Sequence, residues 1–403
     1  MLINYQELEL NEVAINLPAS KSISNRALII EQLCTTSIKL ENLSTATDTQ
    51  ILQALLQNKS FEKEVGMAGT VARFLSAYLA TQNSTYIING DERMQERPMK
   101  ILLDALHFLG AEINYLGNQG FLPIEINGSK IRGGKLNLDA SISSQFVSAL
   151  MMIGPVLKGG LQLQLKGISS SKPYLLMTQK IMEHFGVKIK IENDKIEIPE
   201  QNYQAARLAI ESDWSSASYF YSALALVDEG SLLLRKTALD SWQGDSILGD
   251  IYYRLGIITS RNGDDVLLEK SENIISFLDY DFSDCPDLAQ TVICTCVGLG
   301  LEGLFTGLHT LRNKETDRIQ ALQNELIKFN WQLKEEEPGF FNLSRSQVFH
   351  KGSALIRTYN DHRMAMAFAP LVIVYDQLEF DHPEVVQKSF PHFWEEMQKI
   401  GIH

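Results

Sequence analysis

Short runs of alternating apolar and polar residues recur along the chain, and from the second run onward the interval between them is nearly constant. Such alternation after a turn residue predicts a strand with one buried face. The runs are SIKLENL from Ser37, STYIING from Ser84, GLQLQLKG from Gly160, GSLLLRK from Gly230, GLFTGLHTL from Gly303 and QLEFDH from Gln377. Their starts are 47, 76, 70, 73 and 74 residues apart. This periodicity predicts six copies of one structural unit.

A polar loop, an amphipathic helix and two further strand-like runs follow the second to fifth of these strands. The helical segments are KILLDALHFLGAEI, LLMTQKIMEHFGVKI, ILGDIYYRLGIITS and RIQALQNELIKFNWQL. Gly110, Gly186 and Gly256 are expected to end the first three in a left-handed cap, and Asn330 takes that place in the fourth.

A second set of helices precedes the repeat strands, and each starts with polar residues before an apolar body. The starts are SKSISNR, AGTVARF, SSQFVSA, DWSSASY, PDLAQTV and NDHRMAM. A helix that is apolar on every side is buried on every side, so these six are expected inside the protein. Their N-terminal turns suit phosphate or carboxylate if several of them converge. Ser, Thr and Asp at one start indicate an ordinary cap, but recurring Lys, Arg, His and Gln favour an anion site.

The net charge and the length of the chain limit which molecules such a site could bind and how many domains could form it. The 403 residues include 36 basic and 49 acidic side chains, a net charge of −13. Nucleic-acid binding relies on Lys and Arg that neutralise phosphates, so no nucleic acid is expected as a partner. The length predicts two or three domains, and a hydrophobic content of 45% predicts that they are globular.

Signals for export, membranes, metals and nucleotide cofactors are weak. Residues 1–10 contain no Lys or Arg, and no apolar stretch reaches the ~20 residues that span a bilayer, so we expect a cytoplasmic protein. The cysteines stand in apolar contexts that suit reduced thiols rather than metal ligands. They are Cys34, Cys285, Cys294 and Cys296. The GxGxxG letters from Gly298 follow an apolar helix and precede a strand, whereas a dinucleotide fingerprint follows a strand and opens a helix.

Together the motifs resemble those of the 5-enolpyruvylshikimate-3-phosphate (EPSP) synthase family. The matching segments stand in family order along nearly the whole chain: LPASKSISNRALI, AGTVARFL, ERPMKILLDAL, SSQFVSALMM, SKPY, DWSSASYF, NKETDR and YNDHRMAMAF. The combination of KETDR, NDHRMA and SKSISNR makes the resemblance specific.

The resemblance implies an α/β fold of two similar domains, each built from three βαβαββ units with buried helices, an inside-out α/β barrel. One domain is expected over residues 19–211 and would bind mainly shikimate 3-phosphate. The other would combine residues 1–18 with 212–403. The active site is expected in the cleft between them, and a monomer is expected because family members are typically monomers.

The family transfers the carboxyvinyl group of phosphoenolpyruvate to the 5-hydroxyl of shikimate 3-phosphate and releases phosphate. This reaction belongs to the shikimate pathway, which leads to chorismate and the aromatic amino acids, and it needs neither metal nor cofactor. Both substrates carry phosphate and carboxylate groups. The resemblance therefore implies a site rich in Lys and Arg inside an acidic protein.

For shikimate 3-phosphate, the family motifs match residues from both expected domains. Arg26 lies four residues after Ser22 on one helix face, so one anion could touch both residues and Lys21. By resemblance the full set is Lys21, Ser22, Arg26, Ser143, Ser144, Gln145, Ser171, Tyr174, Asp287 and Lys314.

For phosphoenolpyruvate, the resemblance implies a second set that shares two members with the first. It consists of Lys21, Gly69, Arg97, Gln145, Arg318, Arg363 and Lys388. Glycine at position 69 lets the backbone approach a small ligand, although a plain helix-start glycine is the simpler alternative. Arg97 and Arg363 have the alternative of being ordinary surface charges.

Acid–base chemistry is expected from three residues by resemblance. Asp287 would act as the base for the 5-hydroxyl, and Glu315 and Lys21 would exchange a proton with the substrate. Asp287 has the alternative of a helix cap. Lys314, Glu315 and Arg318 have the alternative of a surface ion pair within one helical turn.

Two positions depart from the family pattern. Met67 stands where the family usually has Asn, and Thr310 stands where an Asn contact to shikimate 3-phosphate is common. The role at Thr310 is therefore not carried over. The resemblance also implies that glyphosate binds in the phosphoenolpyruvate site and inhibits the protein.

Two other functions share this scaffold. A UDP-N-acetylglucosamine enolpyruvyl transferase would use a reactive Cys in a mobile loop, but the corresponding stretch DERMQERPM has none. A non-catalytic binder of phosphorylated metabolites would keep the Lys and Arg residues without needing both Asp287 and Glu315.

Overall fold

Six small β-sheets with helices packed against them make up the protein in a computed structural model, which describes residues 1–139, 143–166, 172–346 and 354–403. Within these ranges the helices are α1 Lys21–Leu33, α2 Thr47–Gln57, α3 Gly69–Leu79, α4 Glu92–Gln95, α5 Lys100–Phe108, α6 Ser144–Ile153, α7 Lys172–His184, α8 Trp214–Leu226, α9 Leu248–Tyr253, α10 Ala289–Leu299, α11 Arg318–Leu326, α12 His362–Phe368 and α13 Phe393–Gln398. Short 3-10 helices cover Gly154–Val156, Gly244–Ile247, Pro286–Leu288, His309–Asn313, Ile327–Phe329, Ala369–Ile373 and Pro383–Lys388.

Most strands have two to six residues, and β14, β15 and β18 have eight, ten and seven. In the described ranges they are β1 Leu2–Ile3, β2 Val13–Ile15, β3 Lys39–Glu41, β4 Glu62–Glu64, β5 Thr85–Asn89, β6 Glu112–Tyr115, β7 Ile124–Asn127, β8 Gly134–Asp139, β9 Leu161–Lys166, β10 Lys190–Glu192, β11 Lys195–Ile198, β12 Arg207–Ala209, β13 Ser231–Leu234, β14 Leu255–Asn262, β15 Asp265–Ile274, β16 Phe277–Asp281, β17 Glu302–Thr306, β18 Trp331–Glu337, β19 Phe340–Arg345, β20 Ala354–Ile356 and β21 Leu378–Phe380.

Four sheets share one topology, which is the βαβαββ unit that the repeat predicts. Their strand orders are β4-β5-β7-β6, β8-β9-β11-β10, β2-β13-β15-β14 and β16-β17-β19-β18. In each, the first two strands are parallel and the last two join antiparallel, as in the pairing of β4 with β5 and of β5 with β7. In the sheets of β4, β8 and β16, one helix forms the crossover that parallel pairing needs, whereas residues 16–230 separate β2 from β13.

The two remaining units are shortened in the described ranges. Parallel strands β12 and β3 form a pair without an antiparallel hairpin. Parallel strands β20 and β21 gain one antiparallel partner, β1, from the start of the chain. The six predicted copies are thus present, and the α/β fold class is confirmed.

The six helices with polar starts are buried as their apolar bodies require. In α8 every residue from Ser216 to Leu226 is buried, and in α6 every residue from Phe146 to Ile153 is buried. The amphipathic helices of each unit pack against the buried ones, as α7 does against α6 and α9 does against α8. Helices α1, α3 and α6 pack against one another, and so do α8, α10 and α12.

The chain divides into two compact units. Unit 1 consists of Met1–Ala19 and Glu211–His403, and unit 2 consists of Ser20–Ile210. Unit 1 contains the sheets of β2, β16 and β1, and unit 2 contains those of β3, β4 and β8. Within unit 1 the two segments lie side by side, because Ala19 bridges Ser212 and the Asp213 N–H donates to the Pro18 carbonyl at 2.9 Å.

One predicted helix was too long. The segment ILGDIYYRLGIITS is helical only to Tyr253, and its second half is strand β14, which pairs with β15. Ile257 and Ile258 stiffen this stretch for a strand, so long-range pairing outweighs its helical spacing. Gly256 has a φ of +86° but lies at an irregularity of β14, not at a cap.

The other three helix ends agree with the prediction. Gly110, Gly186 and Asn330 have φ angles of +107°, +80° and +62° after their helices. No described helix is both long and apolar enough to cross a membrane.

Candidate active site

The three buried helices of unit 1 bring their N-terminal turns together. Ser215 lies in the first turn of α8, Asp287 in the 3-10 turn before α10 and Arg363 in the first turn of α12. The Arg363 Nη1 donates to the Asp287 carbonyl at 3.0 Å, and its Nη2 donates to the Ser215 Oγ at 3.2 Å. The predicted convergence of helix starts is therefore confirmed within this unit.

Arg318 is the centre of a buried group of charges that we call the ion-pair cluster. It consists of Asp287, Lys314, Glu315, Arg318, Asp361, Arg363 and Lys388. The Arg318 side chain is 2% exposed, and its Nε lies 2.7 Å from Asp361 Oδ2. Its Nη1 lies 3.2 Å from Asp287, and its Nη2 lies 3.0 Å from Glu315. A buried guanidinium needs such partners because an unpaired buried charge is strongly unfavourable.

Asp287 is in contact with three cations of this cluster. Lys314 Nζ is 3.3 Å from its Oδ1, Arg318 Nη1 is 3.2 Å from the same oxygen, and Arg363 Nη2 is 3.2 Å from its Oδ2. Burial alone would raise the pKa of Asp287, but Arg363, Lys314 and Arg318 outweigh burial and hold that pKa well below its usual range. Burial lowers the pKa of Lys314 in spite of the nearby carboxylate. Asp287 is therefore ionised and able to accept a proton.

Glu315 lies between two cations. Its Oε2 meets Arg318, and its Oε1 is 3.1 Å from Lys388 Nζ. Lys314 and Glu315 precede α11, which begins only at Arg318, and their side chains are 25% and 12% exposed. The alternative of a surface pair within one helical turn is therefore wrong for this segment.

Local capping explains how these side chains are fixed. Asp361 precedes α12 and accepts from the Arg363 N–H at 2.9 Å, so one carboxylate both caps the helix and holds Arg318. Asp317 caps α11 in the same way through Ile319 and Gln320. Leu288 occupies the N-cap of α10 without a side-chain cap, so the capping alternative for Asp287 is also wrong.

Unit 2 contains a group that we call the arginine cluster: Gly69, Arg73, Arg97 and Gln145. Gly69 begins α3, and Arg73 lies one turn later on the same face. Arg73 Nη1 donates to Gln145 Oε1 at 3.0 Å, and Gln145 Nε2 donates to Thr70 Oγ1 at 3.1 Å. These contacts join the starts of α3 and α6.

Arg97 is buried with donors to spare. It is 7% exposed, and its Nη1 makes a long bond of 3.4 Å to the Met67 carbonyl. Among the described residues its Nε has no hydrogen-bond partner, and no carboxylate there forms an ion pair with it. The guanidinium groups of Arg73 and Arg97 both lie where a Cβ on Gly69 would be, so glycine is required at this close approach. A buried cation in this state suits an anionic ligand.

Lys21 and Arg26 on α1 have different surroundings. Lys21 Nζ is 3.0 Å from Asp48 Oδ2 and keeps 21% of its side chain exposed. Arg26 is 2% exposed, and burial lowers its pKa to about 10. Its Nε, Nη1 and Nη2 donate to Thr178, to the Ser22 carbonyl and to Ser148 at 2.7, 2.9 and 3.1 Å. Hydroxyls and a carbonyl therefore hold this cation.

Ser143, Ser144 and Tyr174 lie at helix starts. Ser143 caps α6, which begins at Ser144, and its Oγ accepts from the Gln145 N–H at 3.3 Å. Tyr174 lies in the first turn of α7, and its carbonyl accepts from Thr178. Ser171 lies outside the described residues.

Several site residues were missed from the sequence. Arg73 stood inside the AGTVARF motif, four residues after Gly69, and this spacing was the available signal. Asp361 stood in NDHRMAM beside Arg363, but nothing in the sequence pairs it with Arg318. Asp48 and Asp245 carry no local signal at all. Thr310 Oγ1 is buried and has no described partner.

Metal binding finds no support in the described residues, where no group of three or more His, Cys, Asp or Glu side chains could hold an ion. The cations of both units can bind anions, and Asp287 can accept a proton. This combination suits a reaction between small anionic substrates.

Comparisons with known proteins agree with this chemistry. The family model described as EPSP synthase (3-phosphoshikimate 1-carboxyvinyltransferase) matches residues 52–397. A 3-phosphoshikimate 1-carboxyvinyltransferase of Bacteroides fragilis (strain YCH46) is 43% identical over 392 residues, which cover 97% of this chain and 96% of the relative. One of Sulfurovum sp. (strain NBC37-1) is 34% identical over 421 residues, with 97% of each chain covered.

The fold has solved counterparts. A structure of EPSP synthase from Acinetobacter baumannii superposes with a TM-score of 0.78 at 19% identity, over 100% of this chain and 99% of that one. At this identity the likeness concerns the fold. From the family model and the two relatives, the chain belongs to the EPSP synthase family.

Proposed function

We propose that this protein transfers the carboxyvinyl group of phosphoenolpyruvate to the 5-hydroxyl of shikimate 3-phosphate. The products are 5-enolpyruvylshikimate 3-phosphate and phosphate, and the step belongs to the shikimate pathway to chorismate and the aromatic amino acids. The observation that carries this conclusion is the family match over residues 52–397, with 43% identity to a relative of that name.

The ion-pair cluster supplies the acid–base groups in this proposal. Asp287 accepts the proton of the 5-hydroxyl as its oxygen bonds to the central carbon of phosphoenolpyruvate. Glu315 or Lys21 delivers a proton to the methylene carbon, which gives a tetrahedral intermediate. Removal of a proton from the new methyl group and departure of phosphate then complete the transfer. Each positioned acid or base contributes roughly 10²–10⁴-fold.

The negative charge of bound substrate would also change the pKa of Asp287. Three cations hold its pKa low, and a carboxylate with a low pKa is a weak base. Substrate phosphate and carboxylate groups would share those cations, which raises the pKa of Asp287 toward that of an effective base. The base is thereby strengthened only when substrate is bound.

The remaining residues bind the two substrates. Shikimate 3-phosphate is assigned to Lys21, Ser22, Arg26, Ser143, Ser144, Gln145, Ser171, Tyr174, Asp287 and Lys314. Phosphoenolpyruvate is assigned to Lys21, Gly69, Arg97, Gln145, Arg318, Arg363 and Lys388. The spare donors of buried Arg97 support the second assignment, since an anion would satisfy them. The three side-chain nitrogens of Arg26 already donate to two hydroxyls and to the Ser22 carbonyl, so an anion there would replace or extend these contacts.

The proposal also includes the organisation of the molecule. Unit 2 would bind mainly shikimate 3-phosphate, and the protein would act as a cytoplasmic monomer. No metal or cofactor takes part in this scheme.

Phosphate release with alternative acceptors tests the function. Purified protein is mixed with phosphoenolpyruvate and either shikimate 3-phosphate or UDP-N-acetylglucosamine, with and without a chelator. We expect release only with shikimate 3-phosphate and no effect of the chelator. Turnover only with the UDP-sugar would contradict the proposal, and binding without any turnover would support a non-catalytic binder instead.

A further inference from the structure

Asp245 is a buried carboxylate that no step of the proposed reaction uses. It lies in the 3-10 turn Gly244–Ile247 and is 5% exposed. Its Oδ2 accepts a short hydrogen bond from the Ser215 hydroxyl. The Ser215 Oγ in turn accepts from Arg363 Nη2 at 3.2 Å. A chain of two hydrogen bonds therefore joins Asp245 to Arg363.

The direction of this chain is set by the chemistry of serine. A hydroxyl has one proton and two acceptor positions. With its proton on Asp245, the Ser215 oxygen turns its lone pairs toward the guanidinium, which can only donate. The carboxylate thereby fixes the hydroxyl, and successive hydrogen bonds of this kind strengthen one another.

The other contacts of Arg363 show what the hydrogen bonds from Asp245 through Ser215 contribute. Its Nη1 reaches the Asp287 carbonyl at 3.0 Å and the Tyr219 hydroxyl at 3.5 Å, and its Nη2 lies 3.2 Å from Asp287 Oδ2. Asp287 therefore contacts both terminal nitrogens of the Arg363 guanidinium, and the Ser215 hydroxyl gives Nη2 a second partner. Without this second contact the guanidinium could turn toward Asp287.

We propose that Asp245 is a positioning residue that acts through the Ser215 hydroxyl to hold the Arg363 guanidinium in place for phosphoenolpyruvate. The inference rests on the proposed function, because that function assigns Arg363 to this substrate. It adds a residue from a turn that lies far along the chain from Arg363.

Asp245 also titrates near neutrality, which gives the proposal a distinctive signature. Its Oδ1 is buried and has no described hydrogen-bond partner. Burial, followed by the charge of Asp287, raises the pKa of Asp245 to about 7, although Ser215 and Arg363 oppose the shift. The charged groups that act on it are Asp287, Arg363 and Asp213, and the Cys285 thiol is a further titratable neighbour. A protonated Asp245 is a weaker acceptor, so the hold on Arg363 loosens below pH 7.

The test compares the steady-state kinetics and substrate binding of Asp245→Ala and Ser215→Ala with those of the unaltered protein. At pH 8 we expect each variant to raise the KM for phosphoenolpyruvate about tenfold, the lower range for a hydrogen bond to a charged group. The KM for shikimate 3-phosphate and kcat should each change by less than about twofold. The double variant should be no worse than the poorer single variant, because both changes break one chain.

The pH profile separates positioning from a general loss of structure. At pH 5.5, where Asp245 is protonated and keeps only a neutral acceptor oxygen, the ratio of KM between Asp245→Ala and the unaltered protein should fall from about tenfold to about threefold, because about half of the free energy of the contact remains. Substrate phosphates titrate equally for all variants and cancel in this ratio. Asp245→Asn keeps an acceptor oxygen and should recover at least half of the loss at pH 8. Asp250→Ala, an exposed acidic residue five positions later, is the matched control.

Each outcome decides the matter. Unchanged KM in both single variants overturns the inference while leaving the proposed function intact. A pH-independent rise, or a joint loss of kcat and of both KM values, would also overturn it. If the unaltered protein neither binds phosphoenolpyruvate by calorimetry nor releases phosphate, the proposed function is wrong and the inference with it.

Discussion

At the scale of single residues, the charged surroundings of Asp287 lead to a specific prediction about catalysis. Asp287→Asn removes the proton acceptor but keeps the shape of the side chain. We expect kcat to fall by at least ~100-fold while the KM of each substrate changes by only a few fold. Steady-state phosphate release checks this outcome. Asp279→Asn, an exposed aspartate of β16, is the control and should behave as the unaltered protein does. Full activity of Asp287→Asn would remove the residue from the mechanism.

Gly69 controls the position of Arg97. A Cβ added there would lie 2.6 Å from Arg97 Nη1, closer than real contacts allow, so the guanidinium must move. We expect Gly69→Ala to raise the KM for phosphoenolpyruvate roughly tenfold or more. Glyphosate should compete with phosphoenolpyruvate in the unaltered protein, and its inhibition constant should rise in this variant.

A matched glycine change controls for this effect. Gly134 on β8 would meet only an ordinary contact of 3.5 Å with Leu109, so Gly134→Ala should leave both constants unchanged. Noncompetitive inhibition by glyphosate, or equal effects of the two substitutions, would contradict the assignment of Gly69.

The raised pKa of Asp245 predicts how stability depends on pH. Its pKa is about 7 in the folded protein, against about 3.9 in an unfolded chain. The folded state therefore binds this proton more tightly, and the associated stability is complete below pH 4 and is lost as the pH rises through 7. Asn has no ionisable carboxyl group, so the Asp245→Asn variant does not lose this stability as the pH rises. Relative to the unaltered protein, this variant should gain about 2–3 kcal/mol in free energy of unfolding between pH 5 and pH 8.

Urea titrations at several pH values measure this difference. Tryptophan fluorescence reports on unit 1 alone, because all four tryptophans lie there, at positions 214, 242, 331 and 394. A difference that does not vary with pH would show that Asp245 keeps an ordinary pKa.

Individual residues also show what sequence reasoning reaches. Arg97, Arg318 and Arg363 could be named from motifs, but their burial and their partners could not. Arg318 pairs with Asp361, 43 residues away, and Asp245 reaches Ser215 across 30 residues. Such pairs depend on which helix starts converge, and no local spacing encodes that.

At the scale of secondary-structure elements, the Asp361 carboxylate at the start of α12 has two roles. Asp361→Ala removes the cap of α12 and leaves buried Arg318 without its 2.7 Å partner. We expect unit 1 to lose about 3–5 kcal/mol in free energy of unfolding, the range for breaking a buried ion pair. Urea titration followed by tryptophan fluorescence measures the loss.

The neighbouring helix offers the control. Asp317 caps α11, but its side chain is 39% exposed, and its partners among the described residues are exposed Arg312 and backbone N–H groups. Asp317→Ala should therefore lose only about 1 kcal/mol, the typical value for a cap. Equal losses in the two variants would mean that the buried pair adds nothing to the cap.

Elements were predictable where burial and periodicity agree. Helices α6 and α8 have apolar bodies with polar starts, and both lie where the pattern indicates. The segment at Leu255–Asn262 has the spacing of a helix but becomes strand β14, since its partner β15 decides its conformation. The shortened sheets of β3 and β21 agree with the sequence, because the pattern of a helix and two further strands follows only the second to fifth repeat strands. The pairing of β12 with β3 and of β1 with β21 joins distant segments, and no local pattern predicts it.

At the scale of the whole molecule, unit 2 is one continuous segment. Residues 20–210 contain all strands of three sheets and helices α1 to α7. We expect this fragment to fold alone and to unfold cooperatively in urea, as followed by far-UV circular dichroism. A gradual transition without a plateau would contradict this expectation.

The complementary fragment is the contrasting case. Residues 211–403 lack β1 and β2, which are edge strands of two sheets of unit 1. Exposed sheet edges promote association, so this fragment should be less stable and should aggregate more readily. Addition of residues 1–19 as a peptide should restore part of its stability.

The pairing of β1 with β21 has a consequence for biosynthesis. Leu2 leaves the ribosome 377 residues before Glu379, yet the two lie opposite each other in the finished sheet. At roughly 5–20 residues per second, strand β1 waits about 20 to 80 seconds for that partner. Unit 2 can complete its own folding during this interval, so the enclosed segment matures first and the segments around it last.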